Sequence, residues 1–450
     1  MFSLEGAAFS EAKSILQDLL RIDTTNPPGN ERPAIEYVQQ LLEAEGFDCT
    51  IVESAPGRAN LVTRLKGNGE KEPLLLNAHL DVVPARAEDW THPPFSGIET
   101  DGCIWGRGAI DMKGFAVMAM TVLRLLKTNG VALNRDVIFA AVADEEAGCE
   151  FGSAYLAEHH PNLIKAEHVI NEVGGFTVDV RGKRMFMVQV AERGIAWLRI
   201  RVRGVPGHGA CPNPESAAAK AGRIVERLAK SRLPHHLSSS SRRFLKSLAK
   251  HSPFLDRIGL TLLQNRLLSP WVLHHLVPAG THRQVLQANL SNTVNPNIIS
   301  SGSKINVTPE EVVIDVDGRV VPGSSTEELI SEIRALIGDE PEIEILRDEP
   351  PVEFEPDAFY EQIEAVLNER CPGDPVIPYP VIGFTDSRNY AKLGAKCFGF
   401  YPLTLPPEMD FARMFHGIDE RIPVDGFRFG IEALYDLVTR VSTRSDAKDS

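Results

Sequence analysis

A chain of 450 residues with 43% hydrophobic composition can bury a large core, and its length suggests two or three domains. The formal net charge of −14 and the pI near 5.5 argue against a nucleic-acid or anionic-membrane partner, since both call for a basic face. The opening "MFSLEGAAFSEAKSILQ" has neither a basic nor an apolar leader segment, and no apolar run is long enough to span a bilayer, so a cytoplasmic protein is expected. Cys49, Cys103, Cys149, Cys211, Cys371 and Cys397 show no CxxC spacing and read as reduced thiols, not as disulfides or a thiolate zinc site.

Residues 9–21 and 31–46 carry helical apolar spacing on either side of "TTNPPGN", whose prolines and glycine demand a loop. Strands are predicted at 60–65, 73–80, 136–143 and 167–171, with a helix at 113–128. The unbroken apolar runs 74–78 and 137–143 suit a sheet covered on both faces, which makes this part α/β. From about 191 the pattern changes to strand, helix, strand, helix and strand: "GIAWLRIRVRG", "PESAAAKAGRIVERLA", "EEVVIDVDGRVV", the Ser/Thr-capped "STEELISEIRALIG", and "EIEILRD". Between the halves of this inset, about 232–285 is helix-prone, and its "PHHLSSSSRRFLKS" reads as a surface loop leading into extra helices. The α/β pattern resumes near 349. The expected division is therefore 1–190 and 349–450 as one interrupted domain around an inset at 191–348, ending in the polar tail "STRSDAKDS".

The apolar run "LLLNAHLDVVP" ends in His79 and Asp81, two apart and so on one face, at the carboxyl end of a strand where open α/β sheets keep their sites. A metal-binding histidine needs its second ring nitrogen held by an acceptor, and Asp81 is placed to supply one; alone, the pair is better explained by an ordinary hydrogen bond. Asp111 in "CIWGRGAIDMKGF" precedes a helix, where capping is the plain alternative. "VIFAAVADEEAG" closes a buried strand with Asp144, Glu145 and Glu146, adjacent acids whose repulsion and lost solvation require a positive partner unless the turn is solvated. Glu172 in "INEVGG" closes another strand, and the glycines after it permit close backbone approach. Four strand ends or junctions thus deliver His, Asp, Glu-Glu and Glu to one edge of one sheet. Trp90 and Trp105 read as packing around these loops, and the pairs His159–His160, His235–His236 and His274–His275 as ordinary polar residues.

The ordered series "HLD", "GRGAIDMKG", "DEEAG", "NEVGG" and "FHGIDERIP" resembles the zinc-dependent aminoacylase and carboxypeptidase superfamily, which includes acetylornithine deacetylase, succinyl-diaminopimelate desuccinylase and glutamate carboxypeptidase. The resemblance covers most of the chain; the 232–285 stretch departs from the compact bacterial members. It implies an α/β catalytic domain, with a mixed, largely parallel sheet flanked by helices, plus an inserted α+β, ferredoxin-like lid domain. It implies two zinc ions per subunit, with cobalt or manganese as substitutes: His79 and Glu172 on one, Glu146 and His416 on the other, and Asp111 bridging both, followed by a cis peptide. Asp81 would orient His79, and Glu145 would be the general base. Oxygen and nitrogen donors without thiolate suit these metals, and paired ions lower the pKa of a bound water to about 7.

By the same resemblance, His208 in "VPGHGACPNPESA" matches a histidine that in dimeric relatives reaches the neighbouring subunit's site to stabilise an oxyanion. Asn306 and Arg319 in "KINVTPEEVVIDVDGRVVPG" match substrate contacts, the guanidinium fork suiting a carboxylate. Arg388 in "GFTDSRNYAKLG" is a second candidate for that role. The implied activity is hydrolysis of an amide bond next to a free carboxylate, in an N-acyl amino acid or a short peptide, by a homodimer formed through the lid. A catalytically silent scaffold and a metal-dependent phosphoesterase are the competing readings. The first expects a missing ligand or base, and the second leaves His208 and Arg319 unexplained.

Overall fold

A computed structural model describes residues 1–230, 232–278 and 280–444, so the last six residues of the polar tail lie outside the described residues. The chain divides into two compact units: Met1–Val190, Phe354–Ile377 and the chain from Thr385 onward form the first, and Ala191–Glu353 with Pro378–Phe384 the second. No helix among the described residues is long and apolar enough to cross a membrane.

The first unit opens with α1 (Gly6–Arg21), which buries Phe9, Ile15, Leu16, Leu19 and Leu20 at helical spacing, and α2 (Arg32–Ala44), which carries Pro33 in its first turn. The strands β1 (Cys49–Ala55), β2 (Arg58–Leu65) and β3 (Leu74–His79) follow. After α3 (Lys113–Thr128) come β4 (Val137–Val142), β5 (His168–Asn171) and β6 (Lys183–Glu192). All six residues of β3 and of β4 are buried, as their unbroken hydrophobicity requires. Each fully buried leucine of β3 contributes about 1.5–3 kcal/mol. α3 packs on β3 and has no exposed residue over its first ten positions.

The second unit holds β7 (Gly194–Arg203), α4 (Ala217–Lys230), the insert helices α5 (Ser239–His251), α6 (Phe254–Leu262), α7 (Ser269–His275) and α8 (Thr281–Ala288), then β8 (Thr293–Ser301), β9 (Glu311–Val320), α9 (Thr326–Ile337) and β10 (Glu342–Glu349). Its sheet runs β8-β9-β7-β10, antiparallel throughout. Without the insert this is the split β-α-β-β-α-β arrangement of a ferredoxin-like unit. Alternate residues of β9 are buried, and Leu198, Ile200, Ile314, Leu329 and Ile333 share one core. α9 is capped as expected, Ser325 Oγ accepting from the Glu328 N–H.

The serine run is the clearest departure from the sequence reading. It is the first turn of α5, not a surface loop: Ser238 Oγ accepts from the Ser241 N–H, and Ser240 and Ser241 are buried, Ser241 Oγ donating to Asn289 O. Serine is poor inside helices but well suited to their ends, and four in succession include one that caps.

The chain then returns to the first unit through β11 (Lys396–Gly399) and the terminal α10 (Val424–Ser442), which packs on α3. The sheet order across this unit is β1-β2-β4-β3-β5-β11-β6. Parallel pairing is confined to the centre, at β4/β3, β3/β5 and β5/β11, and the flanking pairs are antiparallel.

Candidate metal centre

The parallel register of β4, β3 and β5 puts three carboxyl ends side by side. His79 is the last residue of β3 and stands opposite Val142 of β4; two residues past Val142 the chain turns into Asp144, Glu145 and Glu146. Glu172 directly follows β5. Asp111 arrives from the loop before α3, after which the Asp111–Met112 peptide is cis, and His416 from the loop before α10. Asp144, Cys149, Val173 and His416 all have left-handed φ, between +55° and +71°. Such backbone is costly for non-glycine residues, and it flanks each acidic turn and the second histidine. Glycine is required where Gly174 follows Glu172: a Cβ there would lie 1.9 Å from Gly399 O.

The two oxygens of Asp111 face different imidazoles. His79 Nε2 lies 3.0 Å from Asp111 Oδ1 and 3.6 Å from Glu172 Oε2; His416 Nε2 lies 3.1 Å from Asp111 Oδ2 and 3.0 Å from Glu146 Oε2. Asp111 does not cap α3, so its capping alternative falls. Glu145 is buried beside this cluster, its carboxylate within 4.8 Å of ligating atoms of His79 and Glu172. The side chain of His416 is 48% exposed, whereas those of His79, Asp111, Glu146 and Glu172 are at most 4% exposed, so the centre opens to solvent at His416.

The surrounding bonds fix this geometry. His79 Nδ1 is 3.0 Å from the backbone oxygen of Asp81, which directs the Nε2 lone pair toward Asp111. The Asp81 carboxylate is 3.4 Å from the same ring nitrogen, but its principal bonds are to the N–H groups of Glu145 and Glu146, both at 3.1 Å, and to Asn26 Nδ2 at 2.8 Å. Asp81 therefore anchors the acidic turn as well as the histidine. The positive partner demanded by the triple acid is Arg58, whose Nη2 is 2.7 Å from Asp144 Oδ1 while the same guanidinium holds Glu31. Glu420 performs the corresponding task for Asp111: Oε1 accepts from the N–H groups of Ile110 (2.7 Å) and Asp111 (3.0 Å), and Oε2 accepts from Gly108 N–H (3.1 Å) and from Arg107 Nη1 (2.7 Å). Arg107 Nη2 donates to Gly417 O, next to His416, so this one buried pair ties together two of the loops.

Four carboxylates around two imidazoles leave excess negative charge in a largely buried site. Burial drives Glu145 well above the ordinary carboxyl range, with repulsion from Glu172 and Glu146 adding to it; burial likewise raises Glu146 to about 7, with Asp111 adding to it, and Glu172 to about 8. Against burial, which disfavours its charged form, contact with Asp111 and Glu146 pushes His416 up to about 10. Glu146 Oε1 and Glu172 Oε1 are buried and accept no hydrogen bond among the described residues. Unsatisfied carboxylate oxygens, a deficit of positive charge and an all-oxygen-and-nitrogen donor set together fit a pair of divalent cations.

The remaining candidates are divided between the two units. In the second unit, His208 and Asn306 are brought together on a short antiparallel ribbon: Gly207 and His208 pair with Thr308 and Val307, and Gly209 N–H donates to Asn306 O. His208 is exposed, its Nδ1 accepting from Ala210 N–H. The Arg319 fork is engaged by Asp317 of its own strand, at 2.8 and 3.2 Å. Arg388, in the first unit, is buried, not a solvated charge, and its Nη2 donates to Gly148 O, at the end of the Glu145–Glu146 turn. Trp90 and Trp105 pack under Arg107 and Arg421, at 5.1 and 4.4 Å from the ring centroids.

One grouping escaped the sequence reading. His236 meets Glu328 and Glu332 of α9, acids nearly a hundred residues away. Its members are bonded to the protein, Glu332 to His236 and Asn292 and Glu328 to Ser324, which makes it a structural ion-pair network. Glu420, Arg107, Arg58 and Asn26 were also missed. Glu420 and Arg107 stand inside quoted motifs, and a buried arginine in a glycine turn was the available signal.

A model of peptidase family M20/M25/M40 matches residues 75–440. The chain belongs to this family. It is similar to the N-fatty-acyl-amino acid synthase/hydrolase PM20D1 of Mus musculus, 27% identical over 422 residues that span 91% of this chain and 82% of the mouse protein. Aminoacylase-1 of Sus scrofa is 32% identical over 215 residues, 47% of this chain and 52% of that protein. In fold, the chain is similar to the M20 family metallo-carboxypeptidase Sso-CP2 from Sulfolobus solfataricus, with a TM-score of 0.69 at 18% identity, covering 97% of this chain and 99% of the other. Membership of M20 makes the chain an amidohydrolase, in a family whose usual metal is zinc, and sets aside the scaffold and phosphoesterase readings.

Proposed function

We propose that the chain hydrolyses the amide bond of N-acyl amino acids at a centre of two zinc ions, with Glu145 as the general base. The observation that carries the reading is the division of Asp111, one oxygen toward His79 and Glu172's side, the other toward His416 and Glu146. In this reading His79 and Glu172 hold one ion, Glu146 and His416 the other, and Asp111 both. The ions, when bound, supply Lewis acidity to a water and to the scissile carbonyl. Glu145 accepts the water's proton on a carboxylate oxygen and delivers it to the departing amine nitrogen, a role suited to a buried carboxylate beside His79 and Glu172. Glu146 and Glu145 share one turn, whose backbone is held by the two N–H bonds to Asp81.

The choice of N-acyl amino acids over peptides is supported by the PM20D1 relatives, which align across 91% of the chain in the mouse protein. His208 and Asn306, neighbours on one ribbon, are proposed as substrate contacts, His208 acting in the second copy of a homodimer formed through the second unit, which would then serve as a lid. Arg319 is proposed to grip the substrate carboxylate by exchanging Asp317 for it, and Arg388 to brace the turn under Glu145. The deciding experiment is to load the protein with zinc or cobalt, incubate it with a mixture of N-acyl amino acids and dipeptides, and follow each by mass spectrometry. Loss of the N-acyl amino acids is expected; their survival while dipeptides disappear would overturn the substrate choice.

A further inference from the structure

The charge of −14 conceals an internal contrast. Residues 232–285 contain eight Lys or Arg and a single acid, Asp256, so this insert is strongly basic within an acidic chain. Lys246, Lys250 and Arg257 line one shallow cavity between α5 and α6, joined by neutral Thr261, Gln264 and Asn265 and by no carboxylate. Arg257 Nε donates to Ala249 O at 3.2 Å, which tethers the guanidinium across the end of α5. Among the described residues, no ion pair engages these three cations, or Arg242 and Arg266 nearby, and all five are exposed.

The same helices expose large apolar side chains. α6 buries none of its nine residues; Phe254 and Leu255 are 71% and 78% exposed, and Ile258, one turn on, belongs to the same side. Leu267, Trp271 and Leu276 continue the series into α7 and beyond it. Isolated exposed leucines are unremarkable, but phenylalanine, tryptophan and several leucines within 23 residues, on consecutive helices that pack on one another and beside cations without ion pairs, give the insert surface two chemistries.

We propose that the α5–α7 insert is a docking surface for an anionic phospholipid bilayer. The bilayer satisfies both chemistries: phosphate headgroups meet Lys246, Lys250 and Arg257, while Phe254, Leu255 and Trp271 enter the headgroup–acyl boundary. A second copy of the chain in a twofold dimer would set the same cations against each other, and a nucleic acid would leave the apolar side chains uncovered. The proposal contradicts the expectation drawn from whole-chain charge, and it stands independently of the hydrolase reading.

The test is flotation of the full-length protein with phosphatidylcholine vesicles, with and without phosphatidylserine. Binding is expected only to the anionic vesicles and should fall as salt is raised. The triple variant Lys246→Glu/Lys250→Glu/Arg257→Glu should lose about 10²-fold or more in vesicle affinity. Leu255→Ser/Trp271→Ser should weaken binding with its salt dependence intact. Thermal unfolding of each variant checks that these exposed substitutions leave the fold unchanged. Absence of binding by the unaltered protein, or equal binding by the charge-reversed variant, overturns the proposal. So does a Leu255→Ser/Trp271→Ser protein that binds vesicles normally but changes its oligomeric state, which would assign the patch to contact between copies.

Discussion

Glu420 Oε1 accepts the backbone N–H of Asp111 at 3.0 Å, so a residue four positions before the C-terminal helix sets the orientation of the carboxylate that faces both histidines. Replacing it with Gln leaves one acceptor but turns an N–H₂ group toward donors, either Arg107 and Gly108 or Ile110 and Asp111. Breaking a buried pair of this kind costs about 3–5 kcal/mol. Glu420→Gln should lower the melting temperature of the metal-free protein and weaken metal binding by about 10–100-fold, measured by competition with a chromogenic chelator. Unchanged metal affinity would show that the Asp111 loop holds its position without Glu420.

Glu145→Gln preserves size and much of the hydrogen bonding while removing the basic oxygen. Metal content should survive and turnover should fall by about 10²–10⁴-fold. Glu146→Gln should instead lose metal, with activity partly restored by excess zinc. The reverse pattern would mean that the two glutamates exchange roles.

His416 stands at the exposed side of the centre, and its Nε2 is shared between Asp111 and Glu146. His416→Ala should bind fewer divalent ions per chain than the unaltered protein when both are purified without chelator and analysed for metals. Full metal content in the variant would sink the ligand assignment.

A homodimer with His208 acting across subunits makes a complementation prediction. Mixing His208→Ala chains with Glu145→Ala chains under conditions of proven exchange should restore part of the activity, because one site of each mixed dimer keeps both residues. No recovery would assign His208 to its own chain or to no catalytic task.

The bond to Glu332 raises the His236 pKa above its ordinary 6.5. A histidine whose folded pKa is raised contributes stability that is fully present below its unfolded pKa and is lost as pH rises through the folded value. The melting-temperature advantage of the unaltered protein over His236→Gln should therefore be larger at about pH 6 than at about pH 9. An advantage independent of pH would mean that the contact acts through shape and not charge.

The strand ends were legible because burial enforces them. Unbroken apolar runs announced β3 and β4, and His79 and Glu145 stood out where those runs stopped, as Glu172 did after the shorter β5. The supports were not. Glu420 and Arg107 meet across 313 positions, and Arg58 and Asp144 across 86, so no local spacing links them. The insert escaped for a different reason: a net charge averages over the chain, and eight cations in 232–285 vanish against 61 acids. The serine run was misread because polarity signals exposure only until the hydroxyls find partners, as Ser238 and Ser241 do.

β5 pairs with β11, residues 168–171 against 396–399, and the second unit's sequence lies between them. A ribosome making this chain therefore emits the first unit's central strands long before the strand that completes their parallel order. His416 follows later still. Until then the carboxyl edge of β5 and the acids beside it have no final neighbours, and the apolar face of α3 waits on α10. Pairings of such sequence separation form slowly and leave apolar surface open to misassociation during synthesis.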